Sequence, residues 1–189
     1  TKTLDVDGGT IKLDGNYPTG LNNVALGNGA LDAALTGGSN TGLGSNSLSA
    51  NTSGAQNTAI GNASLLLNQT GTANTAVGDD ALIINVSGSY NVAVGADSLY
   101  NTTASNNTAV GQGSGRYNTT GTENVMVGVA ALEDNTTGNY NAALGSEALT
   151  NNTTGSFNTA VGRQSLYVNT TGNSSTAVGY QAGYSKNSS

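Results

Sequence analysis

One pentapeptide recurs through the chain at an almost constant spacing of 17 residues. It reads Asn-Thr-Ala-Val-Gly at 74–78, 107–111 and 158–162, and near-copies occupy the intervals around these segments. Its final residue is a glycine in ten successive copies: Gly27, Gly44, Gly61, Gly78, Gly95, Gly111, Gly128, Gly145, Gly162 and Gly179. A fixed period of this length is the signature of stacked structural repeats, and it therefore limits the possible folds more than any other feature.

The full unit reads N-T-A-V-G-x-x-A/S-L-x-x-N-T-T-G-x-x, and its positions are numbered here 1 to 17 from the first Asn. Position 9 is Leu except at Gly115 and Gly183, and a second Gly at position 15 is replaced by Ala104 in one copy. That copy is one residue short, and the alignment places the deletion between Leu99 and Thr102. Position 4 is always aliphatic: Leu26, Leu43, Ile60, Val77, Val94, Val110, Val127, Leu144, Val161 and Val178.

The unit predicts two short strands and two turns, with one strand around T-A-V and the other around the A/S-L segment or just after it. Each strand is followed by a Gly that can turn a corner at positive φ. A unit of 17 residues cannot bury a core alone, so neighbouring units must stack. We therefore expect an all-β fold, a parallel β-solenoid or β-roll of ten coils over residues 21–189. At ~4.8 Å per coil the rod is roughly 48 Å long, with the repeated Asn side chains stacked in ladders.

The strand at positions 2 to 4 is apolar on both of its faces. Side chains alternate across a strand, so the Ala of position 3 and the aliphatic residue of position 4 point in opposite directions. A solenoid has one interior, and the outer apolar column needs a cover, most simply further copies of the chain about an axis parallel to the rod. We expect a homotrimer in which Asn, Ala and Gly line the interior and the Thr/Val column faces partner chains; the reverse assignment is also consistent with the sequence.

Several segments resemble known fibre proteins. NTAVG, NNVALG and NAALGSEAL are similar to the V-A-I-G repeats in head domains of trimeric autotransporter adhesins. NTTGSFNTAVGRQSL, STAVGYQAGYS and the leader TLDVDGGTIKLDGNYPTGLNNVALG resemble phage tail-fibre proteins, the leader those of cyanophages in particular. The resemblance implies a trimeric β-solenoid on an adhesive fibre, located on a virion or an extracellular surface, that contributes to attachment to host-cell glycans.

The composition argues against several other functions. The chain has no His and no Cys, so the usual catalytic triads and thiol nucleophiles cannot form, and we predict neither an enzyme nor a cofactor or metal site. The carboxylate pairs Asp79–Asp80 and Glu133–Asp134 lie at different positions of their units, which favours solubility charge over a glycosidase pair. A net charge of −6 disfavours nucleic acid, and the absence of an apolar run of ~18 residues disfavours membrane insertion.

Residues 1–20 lie outside the repeat register. Their short alternating segments, bounded by Gly and Pro18, indicate a strand-and-turn cap or a stalk segment. Asp5, Asp7 and Asp14 lack the ligand spacing of a calcium-binding EF-hand loop.

The repeat loses its uniformity in one region. The shortened unit is followed directly by GQGSGRYN at 111–118, the unit without Leu at position 9. Together they are expected to bring Tyr100, Arg116 and Tyr117 close to one another on neighbouring coils, as a candidate glycan contact. A fibre tip beyond Ser189 is the rival location for recognition.

Two other functions also fit the pattern: a bacterial surface adhesin head and an ice-binding β-solenoid. In the latter, a flat face would repeat Thr hydroxyl and methyl groups along the rod. The Thr column at position 2 is interrupted by Val92, Val125 and Ala142, and this disfavours ice binding.

Overall fold

The computed structural model describes residues 22–33 and 36–184. Within them, ten parallel strands pair with their neighbours in chain order to form one sheet and about nine turns of a β-solenoid. The strands are β1 Val24–Leu26, β2 Thr41–Leu43, β3 Thr58–Ile60, β4 Thr75–Val77, β5 Val92–Val94, β6 Thr108–Val110, β7 Val125–Val127, β8 Ala142–Leu144, β9 Thr159–Val161 and β10 Thr176–Val178. The predicted fold is therefore confirmed, whereas the predicted cap at 1–20 lies outside the described residues.

Each strand residue pairs with the same position of the next unit. Thr58 is opposite Thr75, and Ile60 is opposite Val77. We call each repeat unit a coil, numbered from coil 1 at Asn23 to coil 10 at Ser175. Because the register is constant, every position of the unit becomes a column that runs along the rod.

The core consists mainly of the Ala column of position 3 and the Leu column of position 9, joined by the alanines of position 8 (Ala81, Ala131 and Ala148). Ala59 and Leu65, for example, are fully buried, whereas Ile60 is 37% exposed. The Asn, Ala and Gly positions therefore face inward and the Thr/aliphatic columns face outward, as expected. Whether partner chains cover the outward columns remains a prediction.

Two buried Asn ladders bind the coils together. At position 1, the Asn57 Oδ1 accepts from the backbone N–H of Asn74 at 3.0 Å, and its Nδ2 donates to the Gly71 carbonyl at 2.8 Å. At position 12, the Asn68 Nδ2 donates to the same carbonyl at 3.1 Å and to the Asn51 Oδ1 at 2.9 Å. Both ladders thus meet at the glycine of position 15 and satisfy polar groups that would otherwise be costly to bury.

The expected second strand is wrong. The A/S-L segment is a run of turns in which positions 7 and 9 are left-handed, with φ of 51° at both Ala63 and Leu65. Left-handed residues at alternate positions break the pleat of a strand. The wall formed by positions 6 to 12 still joins neighbouring coils, since the Leu65 N–H donates to the Ala81 carbonyl at 2.9 Å.

The two glycine columns exist for different reasons. At position 5, φ lies between 121° at Gly162 and 142° at Gly78, a range that residues with a Cβ avoid. The glycines of position 15 do not have positive φ, so that part of the expectation is wrong. There a Cβ would collide with neighbouring atoms; on Gly71 it would overlap the Gly88 carbonyl oxygen and the Asn68 Oδ1.

Candidate functional site

The shortened coil interrupts the ladder of position 12. The Thr102 N–H donates to the Leu99 carbonyl at 3.2 Å, and the Asn118 Nδ2 donates to the Thr102 Oγ1 at 3.3 Å, so Thr102 takes the place of the ladder Asn. The missing residue therefore belongs to the turn between Thr102 and Ala104, and the expected location between Leu99 and Thr102 is wrong. Among the described residues, the buried Asn85 Oδ1 has no hydrogen-bond donor, because Thr102 lacks an amide group.

The unit without Leu is repaired from the next coil. Met126 occupies position 3 of coil 7, where most coils have Ala, and it is fully buried. A Cβ on Gly115 would overlap the Met126 Sδ, which shows that the methionine fills the space of the missing leucine. The glycine at position 9 and the methionine at position 3 are each visible in the sequence. That one compensates for the other follows only from the structure, in which position 9 of one coil contacts position 3 of the next.

The three predicted contact residues lie together on the outer wall. The Arg116 guanidinium carbon is 5.9 Å from the ring centroid of Tyr100 and 5.6 Å from that of Tyr117. Its Nη2 also lies 3.4 Å from the Asp97 Oδ2, in an ion pair that sequence reasoning missed. The ring of Tyr117 remains accessible, with 42% of the residue exposed.

Position 7 of coil 6, beside this cluster, is Gly113, whose backbone is buried although it carries no side chain. Only the Glu133 Oε1, at 3.9 Å, comes within 4 Å of the point where a Cβ would lie. In the neighbouring coils the same position carries Asp97 and Ala130. We call Gly113 and the side chains around it the Gly113 notch, which comprises Asp97, Tyr100, Gly113, Arg116, Tyr117 and Glu133.

The acidic side chains near the notch are partly withdrawn from solvent. Burial raises the pKa of Glu133, the neighbouring Asp134 raises it further, and Arg116 lowers it. Burial also raises the pKa of Asp134. In the other carboxylate pair, the Asp79 Oδ1 accepts from the Asn62 Nδ2 at 2.9 Å, while burial raises the pKa of Asp80. Within 22–33 and 36–184, no three acidic side chains are grouped as a metal site.

Aromatic side chains elsewhere stack between successive coils. Tyr140 and Phe157 have ring centroids 5.0 Å apart and an interplanar angle of 6°. Tyr167 and Tyr184 are arranged in the same way at 5.2 Å and 3°. Each pair therefore packs across the seam between two successive coils.

Comparisons with known proteins give no relative: no family model, curated protein or solved structure matches the chain. The described coils also contain no helix of sufficient length and apolarity to cross a bilayer.

Proposed function

We propose that this chain is a non-catalytic structural segment of an adhesive fibre, such as a phage tail fibre, that acts as a spacer and takes part in attachment to the host-cell surface. The observation that carries the proposal is the outer face of the ten-stranded sheet. This face carries no charged residue from β1 to β10, because the aliphatic column of position 4 lies beside a column of Thr, Val and Ala at position 2, and it lies on the outside of the single chain.

The outer face is suited to another copy of itself. Positions 2 and 4 contain only Thr, Val, Ala, Leu and Ile in all ten coils, without one charged residue. Leu43, Ile60 and Leu144 are each about two-fifths exposed, and the columns run for roughly 48 Å. A continuous uncharged and mostly aliphatic surface of this length is typical of an interface rather than of a monomer surface. In three parallel chains, identical residues meet at each level around the common axis.

The uniformity of the coils supports the spacer role. The same backbone bonds, Asn ladders and buried Leu recur along the rod, so each coil adds length without adding new chemistry. This favours a shaft over a binding domain and leaves irregular coils as the places for recognition.

Assembly is the first testable prediction. Light scattering of the parent chain should give a molar mass three times the 18.6 kDa of one chain. Val127→Asp should abolish the trimer, because three unpaired carboxylates would be buried at one level. Val129→Asp is the matched control, since Val129 lies two residues away and is half exposed, away from positions 2 and 4. A monomeric parent chain, or equal trimer masses for both variants, would contradict the proposal.

Ice binding is the second candidate function, because the structure places the Thr of position 2 beside the aliphatic residue of position 4 on one outward face. It requires this face to be free in solution, whereas the fibre requires it to be covered. Thermal hysteresis by a monomeric chain would support ice binding and reject the fibre.

A further inference from the structure

We propose that the Gly113 notch binds a neutral pyranose ring of a surface glycan. The inference rests on the proposed attachment role and deepens it, since it names a place on the rod and a class of ligand. The notch is where the wall departs most from the repeat, with a missing side chain at Gly113 and five functional side chains around it.

The notch combines the kinds of group that a sugar ring requires. Each sugar hydroxyl both donates and accepts hydrogen bonds, so its site needs donors and acceptors together. The Arg116 guanidinium has five N–H donors and a single described carboxylate contact, to Asp97. The carboxylate of Glu133 supplies acceptors, and the exposed ring of Tyr117 supplies an apolar face for the C–H groups of the sugar.

The charges of the notch favour a neutral sugar over an acidic one. Arg116 is its one cationic group, and Asp97 already lies 3.4 Å from it. Glu133 and Asp134 add two further carboxyl groups on the next coil. The carboxylates therefore outnumber the cation, and the field at the notch repels a sialic or uronic acid.

The wall holds these groups in place without depending on them. The Tyr117 N–H donates to the Glu133 carbonyl at 2.9 Å, and the Asn101 N–H donates to the Arg116 carbonyl at 3.0 Å, so the backbone of the three coils is fixed. A partly exposed ion pair contributes little to stability. Side chains of the notch can therefore be changed while the solenoid stays folded, which makes the site testable.

The test is saturation-transfer NMR of the full chain with the methyl glycosides of glucose, galactose and mannose, and with sialic acid. Two variants address the notch. Tyr117→Ala removes the stacking face, and Gly113→Gln adds a side chain among the notch groups, a residue that the same position carries at Gln164 and Gln181. Tyr140→Ala is the control, because it removes an exposed aromatic ring from another column.

At least one neutral glycoside should give a transfer signal that is weakened at least tenfold in both notch variants and unchanged in Tyr140→Ala. Lack of binding by every neutral glycoside, equal binding by the notch variants, or stronger binding of sialic acid would each overturn the inference. The mass of the same samples separates the two proposals: a trimer that binds no sugar rejects the notch alone, whereas a monomer rejects the fibre.

Discussion

Met126 and Gly115 are two deviations from the repeat that compensate for each other. Alone, a glycine at position 9 would leave a cavity in the leucine column, and a methionine at position 3 would overfill the interior. Side by side on adjacent coils, they keep the core filled, because the Met126 side chain enters the space above Gly115. Packing in this solenoid is therefore conserved between coils rather than within one unit.

A double-mutant cycle tests this compensation. Met126→Ala should lower the free energy of unfolding by about 2–5 kcal/mol through the cavity it leaves. Gly115→Leu should cost about 1–3 kcal/mol through overpacking against Met126. The double variant restores the Leu and Ala of the regular unit and should recover most of both losses. Urea unfolding at one protein concentration measures all four chains, and additive losses would show that the two sites are independent.

At the scale of the element, the strands could be predicted and the opposite wall could not. The apolar T-A-V core and the Gly register identify β1 to β10 from sequence alone. The sequence predicts a second strand around the A/S-L segment or just after it, whereas the structure has left-handed turns in this wall of positions 6 to 12. The sequence does contain an indication of these turns. Leu at position 9 is replaced only by Gly115 and Gly183, and these glycines have φ of 59° and 64°. Glycine as the sole substitute indicates a left-handed backbone rather than a pleat.

Two glycines of coil 6 test whether position 5 requires glycine more strictly than position 7. Gly111→Ala should cost at least about 3 kcal/mol or prevent folding, because φ is 136° and a Cβ would collide with the Gly128 carbonyl. Gly113→Ala should cost no more than about 1–2 kcal/mol, because φ is 64° and other coils carry Ala63 and Ala130 at this position. Thermal unfolding compares the two variants, and equal losses would contradict the assigned roles of positions 5 and 7.

At the scale of the whole molecule, the constant register makes each coil a removable segment. Deletion of residues 57–73 joins position 17 of one coil to position 1 of another and leaves every column matched. The shorter chain should keep its circular dichroism per residue, and X-ray scattering should show a rod shorter by ~4.8 Å. Deletion of 57–64 is the control, because it shifts all later columns; a folded half-unit deletion would disprove the column description.

The candidate site was predictable only in part. The deletion and the glycine-rich unit pointed to Tyr100, Arg116 and Tyr117, because neighbouring coils bring equal positions together. Asp97 and Glu133 were missed, because their contacts with the cluster depend on the shape of the wall between positions 7 and 10. That shape results from left-handed turns, whereas the sequence predicts a strand in this part of the unit.

The unpaired oxygen of Asn85 has a mechanical consequence. Under tension along its axis, a stack of coils separates first at the junction with the fewest bonds. Coils 4 and 5 lack the amide link that regular coils have between ladder residues such as Asn118 and Asn135. Between the second and ninth coils the rod is therefore expected to yield at this junction, next to the notch, while the last described coil, below which the Asn169 Oδ1 is also unpaired, is a second weak point.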